Sequence, residues 1–105
     1  MRRYPRLDAN QPEIVDALRK VGASVQSLAS VGSGVPDLLV GYRGAWFVME
    51  VKDGAKPPSK QALTPDEKEW HESAGAVVHV VNSVERALAV ISGVWLYAER
   101  GRRST

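Results

Sequence analysis

The stretch that most constrains this chain is GVPDLLVGYRGAWFVMEVKDG, residues 34–54, in which two nearly continuous apolar runs flank a short break at 42–44. Its β-branched and aromatic residues favour strands, so the pattern predicts a buried hairpin that turns at Arg43 and Gly44. Three charged residues stand at the ends of these runs. Asp37 opens the first, whereas Glu50 and Lys52 close the second.

A two-residue turn at Arg43 and Gly44 would pair Asp37 directly with Glu50 across the hairpin. Side chains alternate along a strand, so Glu50 and Lys52 are expected on one face while Val51 points to the other. Arg-Gly is not among the favoured hairpin turns, so this register is a prediction that a structure must test.

Two facing carboxylates have Cβ atoms roughly 4.5–5.5 Å apart and repel each other, so this pair needs a positive partner. Lys52 is one candidate. A divalent cation is a better one, because Mg²⁺ binds one or two carboxylates together with water and phosphate oxygens. The alternative is that these charges are merely solvated strand ends.

The remaining pattern predicts a helix at each end of the chain and one in the middle. The first begins at Asn10, with Glu13 completing a capping box, and runs to Gly22; the last covers 82–93 and is capped by Asn82 and Glu85. The middle helix lies between Thr64, with Glu67 in a capping box, and Gly75.

Two further strands are predicted, at 24–29 and at 76–81, and an irregular loop covers 53–60 because it contains Pro57 and Pro58. The predicted order is therefore helix, three strands, helix, strand, helix. This order indicates the α/β class.

The totals describe one globular domain, since 44% of the 105 residues are hydrophobic and 25% are charged. There is no cysteine, which excludes disulfides and thiolate zinc sites, and no signal-peptide or membrane-spanning pattern. A cytoplasmic protein is expected. The N-terminal arm 1–9 and the C-terminal tail 99–105 are basic, which suits either phosphate binding or solubility. Their arginines include Arg2, Arg3, Arg6, Arg100, Arg102 and Arg103.

The segments GVPDLLV and FVMEVKDG resemble the two halves of the PD-(D/E)xK nuclease motif. Together with Glu13 upstream and SKQALTPDEKEW downstream, residues 10–81 resemble the virus-type replication-repair nuclease (VRR-NUC) domain. The resemblance implies a restriction-endonuclease-like core of αβββαβ order, with a mixed central sheet flanked by helices.

The resemblance also implies roles for individual residues. Asp37 and Glu50 are expected to bind Mg²⁺ or Mn²⁺, together with the backbone carbonyl of Val51. Lys52 is expected to contact the attacking water and the scissile phosphate. Glu13 is expected to reach the metal through water, unless it only caps its helix.

Gln61 matches a polar position that the family keeps, although a surface glutamine would look the same. Lys56 and Lys60 suit phosphate contacts, as do Arg2, Arg3, Arg102 and Arg103, but solvated lysines are common on loops. Neither histidine shows metal-ligand spacing: His71 is expected to be exposed and His79 to lie in a strand, both without a catalytic role. The three tryptophans, Trp46, Trp70 and Trp95, are expected in the core or at an interface.

The resemblance implies a Mg²⁺-dependent DNA endonuclease, and among its short members a homodimeric resolvase of four-way (Holliday) junctions, with DNA as partner and no membrane. Residues 93–100, GVWLYAER, are expected to supply either a dimer surface or core. Two alternatives stay open. One is a nicking or flap nuclease without junction preference, and the other is a catalytically silent DNA-binding module.

Overall fold

A computed structural model describes residues 8–93, and within them the predicted order of elements is confirmed. The elements are α1 (Gln11–Lys20), β1 (Ser24–Ser27), β2 (Leu38–Tyr42), β3 (Ala45–Val51), α2 (Pro58–Gln61), α3 (Pro65–Ala74), β4 (His79–Val81) and α4 (Val84–Ser92). The single turn α2 was predicted as irregular loop, which is wrong. Pro58 occupies the first helical position, where its missing N–H costs no hydrogen bond.

The four strands form one mixed sheet in the order β1-β2-β3-β4. The β1–β2 and β2–β3 pairs are antiparallel, and β3 pairs with β4 in parallel. The described residues therefore form an α/β fold with a four-stranded mixed sheet flanked by helices. β1 ends at Ser27, two residues earlier than predicted.

The predicted hairpin register is confirmed, with Leu38 opposite Met49 and Tyr42 opposite Ala45. Arg43 and Gly44 have φ angles of 49° and 83°, the left-handed values that a type I′ turn requires at both central positions. The Arg43 guanidinium lies 5.1 Å from the centre of the Tyr42 ring, and this cation–π contact favours a turn sequence that is otherwise unusual.

One face of the sheet is apolar and packs into the core, whereas the opposite face carries Glu50 and Lys52 together with Leu39 and Val48. Met49 and Val51 of β3 point to the apolar face, where α1 and α4 complete the core. The fully buried members are Ile14, Leu18, Leu38, Val40, Met49, Val51 and Val81. The alternate residues Glu50 and Lys52 point to the other face, where α3 contacts them through polar side chains.

Two asparagines predicted as helix caps have other partners. Asn10 precedes α1 but makes no side-chain cap; its amide instead donates to the carbonyls of Lys52 (3.0 Å) and Asn82 (3.2 Å). Ser83, not Asn82, caps α4 by accepting from Arg86 N–H. The capping box of Thr64 and Glu67 and the left-handed Gly75 at the end of α3 are confirmed.

Trp46 was predicted in the core or at an interface, and the core interpretation is wrong because 70% of the residue is exposed. Its ring lies over Gly41, where an added Cβ would approach it within 2.9 Å. No helix among residues 8–93 is long and apolar enough to cross a membrane. The basic arginines at both ends, Trp95 and nearly all of GVWLYAER lie outside the described residues.

Gly34 is expected to be essential for docking the 28–36 loop against α3. It has a φ of 83°, and an added Cβ would collide with the Asp66 carbonyl, whereas Gly32 (φ 72°) has open space around it. Gly32→Ala should lower the free energy of unfolding by about 1–2 kcal/mol, the cost of the left-handed conformation. Gly34→Ala should cost about 1–3 kcal/mol more, because the loop must move away from α3. Urea denaturation of both variants measures this difference; equal losses would contradict it.

Candidate active site

Asp37 is fixed in place by three hydrogen bonds. Its N–H donates to Met49 O (3.0 Å), and its carbonyl accepts from Leu28 N–H (2.8 Å). The hydrogen bonding of β2 to β3 and to the β1 side therefore continues to the residue just before β2. Its carboxylate Oδ2 accepts from Val51 N–H at 2.7 Å. Asp37 therefore lies across from Glu50, as the register predicts, with little freedom to move away.

Glu50 is a buried carboxyl group, with only 2% of the residue exposed. Burial, followed by the neighbouring Asp37 and Glu67, raises its pKa to about 10 against the opposing effect of Lys52. Its Oε1 atom is buried without a hydrogen-bond partner. Glu50 thus lies in a place that disfavours its own negative charge unless a cation is added.

Lys52 is 8% exposed and points to the same face as Glu50. Its Nζ donates to Glu67 Oε1 at 2.7 Å, and the same oxygen accepts from Thr64 N–H at 2.9 Å. Burial raises the Glu67 pKa, but the hydrogen bonds from Lys52 and Thr64 outweigh this effect and lower it. Glu67 therefore has two roles, a helix cap and the partner of Lys52, of which the sequence indicated only the first.

His71 was expected to be exposed, and this prediction is wrong. Its side chain is only 13% exposed, and its Nε2 lies 3.5 Å from Glu50 Oε1. The signal that could have found it is helical spacing, since His71 follows Glu67 by four residues and shares its face of α3. His79 does lie in a strand, as predicted, and packs near the Phe47 ring.

Asp8 is a further carboxyl group at this site that the sequence analysis missed. Partial burial raises its pKa, Lys52 lowers it and Asp37 raises it, so Asp8 lies within electrostatic reach of both residues. It precedes α1, in the segment interpreted as a basic arm, and no motif or periodicity marks it.

Within residues 8–93, Glu13 and Gln61 make no hydrogen bond to Asp37 or Glu50. Glu13 is exposed and lines a cavity with Asn10, Asp53 and Glu85 that includes neither of the two acids. Its water-mediated metal contact stays a prediction. Gln61 donates to Lys56 O (2.7 Å) and accepts from Asn82 Nδ2 (3.0 Å). These contacts fasten the 53–61 loop to the start of α4, and a catalytic role for Gln61 stays a prediction.

Lys56, on the loop that follows Lys52, and Lys60, in α2, are both exposed. Lys56 N–H donates to Asp53 O, and Lys60 N–H donates to Pro57 O, so the backbone of this loop is ordered by local turns. An exposed ammonium group on an ordered loop is available to a phosphate backbone.

The donor set fits a cation that keeps most of its water. Within residues 8–93, no group of three or more His, Asp or Glu side chains is arranged to hold a metal ion by itself. Mg²⁺, however, needs only one or two carboxylates beside water and substrate phosphate. Asp37 and Glu50 meet this requirement, and the burial and carboxyl neighbours that raise the Glu50 pKa are effects that a bound cation would oppose.

Comparisons of the chain with models of protein families, with curated proteins and with solved structures gave no match. The resemblance to the VRR-NUC domain therefore rests on the quoted motifs alone.

The raised Glu50 pKa predicts how stability depends on pH without divalent metal. The folded protein keeps a proton on Glu50 up to about pH 10, whereas the unfolded chain releases it near the usual glutamate pKa of 4.5. Stability must therefore fall as pH rises between these values, by at most about 1.4 kcal/mol per pH unit. Glu50→Gln removes this titration. Urea unfolding in chelator should show the variant gaining stability relative to wild type from pH 5 to pH 9.

Glu72→Gln, which removes an exposed carboxylate from α3, controls for the change in net charge. Parallel pH curves for wild type and Glu50→Gln would show that Glu50 is ionised in the folded protein and would contradict the prediction.

Proposed function

We propose that this protein is a metal-dependent endonuclease that hydrolyses phosphodiester bonds in DNA, with a restriction-endonuclease-like core of the VRR-NUC type. One observation carries the proposal: Asp37 lies against Glu50 at the end of the hairpin, with the buried Lys52 on the same face as Glu50. Two acids and a lysine in this arrangement suit the hydrolysis of a phosphate ester.

Asp37 and Glu50 would hold Mg²⁺ or Mn²⁺, with the Val51 carbonyl as a further oxygen. A bound cation lowers the pKa of its water ligand and neutralises charge that develops on phosphorus. Val51 has a second role in this arrangement, because its N–H holds the Asp37 carboxylate at 2.7 Å. In this proposal Glu50 and the Val51 carbonyl bind the cation, and the Val51 N–H orients Asp37. Lys52 adds a positive charge.

Lys52 would orient the attacking water and contact the scissile phosphate. An ammonium group has three donors, and Glu67 uses one of them at 2.7 Å. The remaining donors can serve the substrate while Glu67 keeps the side chain extended. Preorganised positive charge of this kind stabilises the transition state because it needs no rearrangement during the reaction.

DNA would approach along the 53–61 loop, where Lys56 and Lys60 are exposed. Contacts from lysine to phosphate give affinity without sequence information. Arg2, Arg3, Arg102 and Arg103 are proposed to extend this basic surface. Such a surface suits recognition of DNA shape more than of DNA sequence.

The substrate we propose is a four-way junction, cut by a homodimer. This finer proposal is supported by the resemblance and by symmetry, because a junction offers two equivalent strands to two active sites related by a two-fold axis. A nicking or flap nuclease would need only one site.

Cleavage of DNA should require a divalent cation together with Asp37, Glu50 and Lys52. With Mg²⁺ or Mn²⁺, wild type should nick branched DNA, and Glu50→Ala should abolish cleavage while retaining binding in Ca²⁺. Lys52→Ala should lower the cleavage rate by about 10²–10³-fold, the loss typical when one charge-stabilising donor is removed. Glu85→Gln, at the exposed start of α4, is the matched control. Cleavage is followed on labelled strands in gels.

The panel of substrates contains a mobile four-way junction, a flap and a duplex of matched sequence, and solution mass gives the oligomeric state. Faster cleavage of the junction by a dimer is expected. Equal rates on all three would remove the resolvase proposal but keep the nuclease. Binding without cleavage by wild type would leave only a DNA-binding module.

A further inference from the structure

Two buried polar atoms lie close together where α3 covers Glu50: one is a carboxylate oxygen of Glu50 and the other is a ring nitrogen of His71. Glu50 Oε1 and His71 Nε2 are 3.5 Å apart, and within the described part of the chain neither has a hydrogen-bond partner. Leaving one buried polar atom unpaired costs about 1–3 kcal/mol, so two adjacent ones need an explanation. Each atom is a potential partner of the other, although 3.5 Å is longer than an ordinary N–H···O hydrogen bond.

Burial decides the nature of this contact. Neither atom is accessible to solvent, and the 3.5 Å between them leaves no room for a water, because each of its two hydrogen bonds would need roughly 2.7–3.2 Å. The contact is therefore directly from nitrogen to oxygen. In the neutral tautomer protonated at Nε2, His71 is a donor and Glu50 Oε1 is its acceptor.

The spacing of α3 matches the spacing of the strand end. Four residues along a helix advance roughly 6 Å, and two residues along a strand advance roughly 6.6 Å. Glu67 and His71 are four apart on α3, and they contact Lys52 and Glu50, which are two apart. One helix face thus supplies one partner to each of the two motif residues that point towards it.

We propose that His71 is a positioning residue, which donates its Nε2–H to Glu50 Oε1 and so fixes the carboxylate that binds the catalytic cation. This inference rests on the proposed function. It adds a second residue of α3, beside Glu67, to the site; α3 contributes no residue to the core. Outer partners that orient ligating carboxylates typically change metal affinity by about 10–100-fold.

The test is a titration of the full chain with Mn²⁺, in which electron paramagnetic resonance counts the free ion. His71→Phe keeps the ring but loses the donor, and it should bind Mn²⁺ about 10–100-fold more weakly. His71→Gln can place an amide N–H near the Nε2 position and should retain affinity within about threefold of wild type. Glu72→Gln, exposed on the same helix, is the control, and thermal unfolding confirms that each variant folds.

Equal Mn²⁺ affinity of His71→Phe and wild type would overturn the proposal, as would equal weakness of the Gln and Phe variants. A strong ¹⁴N coupling to Mn²⁺ that His71→Phe removes would make His71 a direct ligand and would also overturn it. If His71→Phe does not fold, His71→Asn replaces it, because its amide is too short to reach. Wild type that binds Mn²⁺ but cuts no DNA refutes the nuclease and leaves the affinity comparison valid; wild type that binds no Mn²⁺ refutes both.

Discussion

The antiparallel register of β2 and β3 is the constraint on which the rest of this structure depends. It brings Asp37 against Glu50, although thirteen positions along the chain separate them. A slip of one residue would turn every side chain of one strand to the opposite face, with Glu50 in the core and Met49 in the site. The tight turn at Arg43 and Gly44 prevents this slip, because both residues hold the left-handed conformation that closes a two-residue loop.

One face of the sheet packs into the core, and the other carries the residues of the candidate site. Met49 and Val51 pack with α1 and α4 into a core, which anchors β3 rigidly. Glu50, between them, is held on the other face with its carboxyl buried. The same rigidity that positions this group also prevents it from escaping to water, so its pKa is raised. The proposed cation site is therefore electrostatically unfavourable for an ionised Glu50 when no cation is bound.

The sequence analysis was most successful where the relevant physics is local. Strand alternation and turn position placed Asp37 and Glu50 together, and the Thr64 capping box was confirmed because both of its members lie within one turn. Residues with several possible partners were misjudged. Asn10 and Asn82 resemble caps in sequence, but they bind backbone and side chains that the fold brings to them from distant positions.

The sequence by itself determined which residues share a strand face and where the hairpin turns, because these follow from a backbone period of two and from local φ angles. Only the tertiary structure decided which helix covers the face that carries Glu50 and Lys52. α3 is brought there by the parallel β3–β4 pairing, and with it come Glu67 and His71 as the partners of Lys52 and Glu50. Such contacts between distant segments depend on packing, which no local periodicity records.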